Sequence, residues 1–170
     1  MAQRIAAIAL ILGLWLGSVG PVQAAAGNAS PLAVLPFLGD RFAGQRPANL
    51  GVRDGHLAAC PASPNCVVSQ GATDAVHAIE PLPYEGDPAR AMARLEAILR
   101  ALPRTAIIER RDDYLYAEFT SRWMGYVDDG EFYLDPKASV IQVRSASRLG
   151  ESDLGVNRNR IEAIRSAFAV

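Results

Sequence analysis

A chain of 170 residues, half of them hydrophobic, has room for one domain of ordinary size and can bury a core without metals to hold it together. Its formal charge of −1 at pH 7 leaves no electrostatic footprint for nucleic acid. Lys137 is the single lysine among 17 basic residues, and no function is attached to that arginine bias.

The first residues speak to compartment. Arg4, the apolar run from Ile5 to Leu16, then Gly17, Gly20, Pro21 and the small-residue site Val22-Gln23-Ala24 read as a secretory signal peptide over residues 1–24. The run is shorter than the roughly 20 residues a spanning helix needs, and no cysteine follows it closely enough to accept a lipid. Cleavage after Ala24 is expected, giving a periplasmic or secreted protein without a transmembrane helix. Retention of the segment as an anchor is the alternative.

Residues 25–55 are rich in glycine and proline, among them Pro31, Pro36, Gly44, Pro47 and Gly51, and show no sustained period. They read as an extended N-terminal arm. Within it, Leu32 to Phe42 is too apolar for a solvated linker; it packs along the domain, or meets a partner or the membrane surface. The domain proper is expected over residues 56–170.

Cys60 and Cys66, the two cysteines of the chain, flank a proline-rich loop, and in an exported protein they are candidates for a disulfide. So short a loop limits its stabilisation to on the order of 2 kcal/mol. A Cys2His2 metal set with His56 and His77 lacks the spacing of structural zinc sites, so no metal is expected.

Val76 to Glu80 reads as a short strand. Asp87-Pro88 then opens a helix, with aspartate as N-cap, and Met92, Leu95, Leu99 and Leu102 form its apolar stripe up to Pro103. Thr105 to Glu109, Tyr114 to Arg122, Tyr126 to Leu134 and Ser139 to Ser147 read as strands of an antiparallel meander. Asn157 is placed as the cap of a last helix carrying Ile161, Ile164 and Phe168 on one face. The expected class is α+β: an antiparallel sheet of four to five strands with two helices packed on one face.

Alternation puts Leu115, Ala117, Phe119, Ile141 and Val143 on the helix-covered face and Tyr114, Tyr116, Glu118, Arg122, Gln142 and Arg144 on the other. With each hairpin centred on its turn signal, Thr120, Asp129 and Arg144 lie side by side, as do Glu118, Glu131 and Gln142. One reading is a cross-strand ladder of charges solvating an open face. The other is a ligand site made of Arg122, Asp129, Glu131, Arg144, Ser145, Ser147, Arg148 and Asn157, in which arginine forks, hydroxyls and a helix start suit a carboxylate or phosphate. A single pocket would need a bulge near Ala146, because Ser145 and Ser147 alternate away from Arg144. Catalysis would have to use Asp128 and Asp129, or Glu118 and Glu131 with one pKa raised by the other. No Ser/His/Asp set, phosphate loop or metal triad accompanies them, so no catalytic residue or cofactor is assigned.

Three stretches, Cys60 to Ser69, Ala117 to Asp129, and Arg144 to Gly150 with Asp153 to Arg158, together resemble the DUF1499 family over about Cys60 to Arg165. The resemblance implies a single module in an exported or organellar setting and no particular chemistry. The functional expectation is a non-enzymatic envelope module that binds a small anionic ligand, an envelope lipid or a protein partner. A purely structural or assembly role and a hydrolase using Glu118 or Asp129 as base are the alternatives.

Overall fold

The computed structural model describes residues 42–169; the expected signal peptide and the arm up to residue 41, including most of the apolar stretch from Leu32, lie outside the described residues. The element order is β1 (Cys66–Val68), β2 (Leu82–Pro83), α1 (Pro88–Ala101), β3 (Thr105–Arg110), β4 (Tyr114–Thr120), β5 (Val127–Asp135), β6 (Val140–Ser147) and α2 (Val156–Phe168). The strands form one six-stranded antiparallel sheet in the order β1-β6-β5-β4-β3, with β2 also on β6. This is the α+β class, with six strands because two short ones share the flank of β6.

The first strand is not where hydrophobicity placed it. Val76 to Glu80 begins as a turn, because the Asp74 carboxylate accepts from the Val76 and His77 N–H groups at 2.9 and 3.0 Å and so holds the chain away from a ladder. Only Ala78 makes a bridge, to Val68. The strand lies upstream at Cys66–Val68, next to the cysteine loop.

Both long hairpins are displaced by two residues from the expected register. Glu118 faces Asp129, Tyr116 faces Glu131, and Glu131 faces Arg144. The β5–β6 turn shows why: Asp135 Oδ1 accepts from the Lys137 and Ala138 N–H groups, and Ser139 takes the left-handed φ of 54°. The turn is thereby centred one residue later. An even slip preserves the two faces and changes only the cross-strand partners.

On one face the core is as the alternation implies. Leu115, Ala117, Phe119, Phe132, Ile141 and Val143 pack with Met92, Leu95 and Leu99 of α1 and Ile161, Ile164 and Phe168 of α2. Asp87 caps α1, accepting from the Ala89 N–H at 3.0 Å. The cap of α2 is not Asn157. Gly155, at φ 81°, is the N-cap, and the Asp153 carboxylate accepts from the Gly155 and Asn157 N–H groups. Asn157 itself is buried inside the first turn.

The opposite face departs most from expectation, for it is not open. Leu50 and Val52 of the arm, with Leu57 just after it, pack on Tyr114, Tyr116 and Tyr133, and Tyr114 and Tyr116 are 0% and 2% exposed. Tyrosines at alternate positions offer ring area that favours burial while their hydroxyls need partners. The charges between them are therefore interior groups rather than a solvating surface.

Gly130 sits where the helix-covered face leaves no room. A Cβ there would lie 2.4 Å from Phe119 Cε2. Gly130→Ala is expected to lower the unfolding free energy by about 1–3 kcal/mol through overpacking; urea denaturation measures it, and an unchanged midpoint would mean that the Phe119 ring moves aside freely.

Candidate functional site

Beneath the arm, the buried side-chain polar atoms of β4, β5 and β6 have partners among the described residues except at one atom. Arg148 donates from Nε and Nη2 to Asp129 at 2.7 to 3.1 Å, and its Nη2 also meets Glu118. The Tyr116 hydroxyl, with one proton to donate, lies 2.5 Å from Asp129 Oδ1 and 2.9 Å from Glu118 Oε1. From the arm, Arg46 donates to Glu118 through Nε at 2.8 Å and Nη2 at 2.6 Å. Further along, Glu131 accepts from the Tyr114 hydroxyl and the Gly51 N–H at 2.7 Å each, and from Arg144 Nη1 at 3.2 Å. Arg144 Nε is buried with no acceptor among the described residues.

Titration follows these contacts. Burial alone would raise the Glu118 pKa, but the hydrogen bonds from Arg46, Arg148 and Tyr116 outweigh it and hold the carboxyl below 4.5. This reverses the expectation that paired glutamates would raise one another: Glu118 lies opposite Asp129, not Glu131, and arginines intervene. Both tyrosines are pushed above 10, first by burial and then by the neighbouring carboxylates. At Asp153 burial likewise pushes the carboxyl up, and hydrogen bonds from the Asn157 and Gly155 N–H groups and the Asn157 side chain overcome it, keeping the carboxyl below 3.8.

A second polar network lies on the helix-covered face at the same end of the sheet. Asn157 donates through Nδ2 to the Asn65 carbonyl, Ser147 Oγ and Asp153 Oδ2. Its Oδ1 accepts from Ser145 Oγ at 2.5 Å and from Arg160 Nη1 at 2.7 Å. Arg160 also donates to Asp128 at 2.5 Å and lies over the Phe119 ring. Asn65, the residue before Cys66, donates to the Gly150 carbonyl at 2.5 Å. The Cys60–Cys66 disulfide, with an S–S distance of 2.01 Å, thus closes the loop that ties β6 to α2. It also removes both sulfurs from any metal set, and His77 is engaged by Asp74 and the Ser63 carbonyl.

The sequence candidates therefore fall in three places. Asp129, Glu131, Arg144 and Arg148 share the arm-covered face; Ser145, Ser147 and Asn157 lie across the sheet beneath α2; Arg122 is exposed in the β4–β5 loop with its guanidinium 4.6 Å from the Trp123 ring. No bulge brings them into one pocket. Asp128 and Asp129, the other catalytic pair considered, point to opposite faces and each meets an arginine. Arg46 had no signal in the sequence, since it lies 72 positions from Glu118. Arg160 was legible in hindsight as the residue one turn beyond Asn157.

Beside the second network, the loops leave a cleft of about 540 Å³. Phe42, Tyr126, Leu149 and Val156 wall it, and Ser121, Ser147 and Ser152 supply hydroxyls. Phe42 meets Tyr126 edge to face at 5.3 Å. Of eight exposed large hydrophobic residues among those described, Trp123, Met124, Tyr126, Leu149 and Leu154 sit in the β4–β5 and β6–α2 loops and Val156 opens α2, with Trp123 82% and Leu154 91% exposed; Tyr126, Leu149 and Val156 line the cleft.

The family model described as a protein of unknown function (DUF1499) matches residues 56–168. No curated protein matches the chain. The matched span holds the sheet, both helices and the two loops that rim the cleft, and it begins after most of the arm.

Two measurements check the buried pairs. Because Glu118 is held below its unfolded value, its stabilisation is present above pH 4.5 and is lost as pH falls through the folded pKa. Its carboxyl resonance should titrate below 4.5, and Arg46→Ala should move that midpoint upward; an unmoved midpoint would remove Arg46 from the account. Glu131→Gln leaves Arg144 buried without a counter-charge and should cost about 3–5 kcal/mol in a denaturant titration.

Proposed function

The chain belongs to the DUF1499 family, and from that premise we propose that it is an exported, non-enzymatic module that binds an anionic envelope lipid at the loop end of its sheet. The observation that carries this reading is a cleft walled by three exposed large hydrophobic residues, Tyr126, Leu149 and Val156, with three more, Trp123, Met124 and Leu154, exposed in the same two connections of the chain. Scattered apolar side chains are ordinary on a protein surface; a contiguous patch rimmed by polar groups marks an interaction site.

The chemistry of the patch favours a lipid over a free anion. Trp123 and Tyr126 are the residue types that settle at a membrane interface, where one end is apolar and the other wet. Arg122 lies over Trp123, and Arg104, exposed nearby, donates to the Thr120 carbonyl; both can meet a phosphate at the rim. By contrast, Arg144 and Arg148 are engaged by Glu131 and Asp129, and a free anion would have to displace those carboxylates. The hydroxyls of Ser121, Ser147 and Ser152 offer donors at headgroup level, while Asp128 is matched by Arg160.

Export is supported by the leader-like residues 1–24, cleaved after Ala24 in this reading, and by a disulfide of the kind that persists in oxidising compartments. The carboxylates considered for a hydrolase are neutralised by arginines and a tyrosine rather than poised to take a proton, which favours binding over catalysis. A solely structural role is the competing outcome.

Vesicle co-sedimentation separates these readings. The protein should bind vesicles containing phosphatidylglycerol more tightly than phosphatidylcholine alone, and added salt should weaken the difference. Trp123→Ala should reduce binding about tenfold or more, the scale set by withdrawing an indole from an apolar phase. Wild-type protein that sediments with neither vesicle would overturn the lipid assignment.

A further inference from the structure

The arm-covered face has the features of a recognition groove. Its residues, Tyr114, Tyr116, Glu118, Asp129, Glu131, Arg144 and Arg148, all lie within the family match at residues 56–168, whereas the segment that fills it lies mostly before residue 56. The segment is fixed by docking rather than by a ladder. Among the described residues, its own backbone pairing is the Arg53–His56 bridge, and its backbone tie to the sheet face is the Gly51 N–H on Glu131.

The groove reads the segment at three points. Arg46 forks onto Glu118 and lies 5.6 Å from the centre of the Tyr116 ring, a carboxylate and an aromatic face that together suit a guanidinium. Five residues on, Gly51 takes φ 96°, which brings its amide to Glu131 at 2.7 Å. Leu50 and Val52 then pack beside Tyr114, Tyr116 and Tyr133. Without the segment, Arg144 and Arg148 face Asp129, Glu118 and Glu131, so one carboxylate is left without its cation; Arg46 supplies it while remaining half exposed, at 51% of its side chain.

We propose that this face is a docking groove for an extended arginine-bearing segment, filled in cis by residues 46–57 and able to take the same segment from a second copy of the chain. The strap opens as a unit smaller than the whole fold, because lifting it breaks side-chain contacts and the hydrogen bonds of the Gly51, Gly55 and Leu57 backbone to the Glu131 and Gln70 side chains, and leaves the sheet ladder intact. In the closed chain the tether gives the strap a high effective concentration, so an added segment competes poorly until the cis contact is weakened.

The test uses the full chain and a fluorescent synthetic peptide of residues 42–57 as the probe. Anisotropy titration should show the peptide binding the Arg46→Ala chain at least tenfold more tightly than the parent chain. A peptide with alanine at position 46 should lose that binding, as should a chain carrying both Arg46→Ala and Glu118→Gln. Amide exchange on the unmodified chain is independent of whether the variants fold: Gly51 and Val52 should exchange at least tenfold faster than Leu115 and Phe132 under conditions where the sheet stays closed. Equal exchange rates at those four amides would overturn the proposal, as would an Arg46→Ala chain that melts like the parent and binds no peptide at millimolar concentration.

Discussion

Glu131 and Arg144 face each other across β5 and β6 with almost no solvent contact, and their burial constrains everything laid over them. Removing two ions from water costs several kcal/mol each, recovered only if their geometry and remaining hydrogen bonds are good. Here the carboxylate is met by a tyrosine hydroxyl and a backbone amide as well as by the arginine. The amide comes from the arm, so the arm is part of what makes the pair tolerable. Its apolar residues close the seal, and Arg46 completes the neighbouring group around Glu118.

The sheet therefore separates two polar interiors. On one face, Asp129, Glu118, Tyr116 and Arg148 form a network closed by the arm; on the other, Asn157, Ser145, Ser147, Arg160 and Asp128 form one closed by the start of α2. Both lie at the same end of the strands, where Arg148 follows β6 and the chain turns toward α2. Rigid networks on either side hold the intervening loops, and the disulfide loop joins them through Asn65. The apolar side chains of those loops are consequently presented on a fixed frame, the condition for a preformed cleft.

Much of the fold was legible from period and punctuation. The apolar positions of β4 and β6, the stripe on α1, the Asp87 cap and the cysteine pair all rest on interactions between near neighbours in the chain. The placement of β1 and the β5–β6 register were not, because Asp74 and Asp135 each capture backbone N–H groups a few residues on, and such captures compete with strand pairing by margins that alternation does not reveal. The cap of α2 failed for a related reason: a left-handed glycine with an aspartate two residues before it displaced the more obvious asparagine.

Alternation alone determined which side chains share a face of the sheet, since a side-chain period of two survives any even slip of register. Whether a face is wet or dry was decided only in three dimensions. Arg46 reaches Glu118 across 72 residues and Gly51 reaches Glu131 across 80, and a contact over such a distance leaves no periodic trace. A row of alternating charges reads the same in water as beneath a covering segment; the difference is the desolvation of those charges, which depends on where the rest of the chain comes to lie.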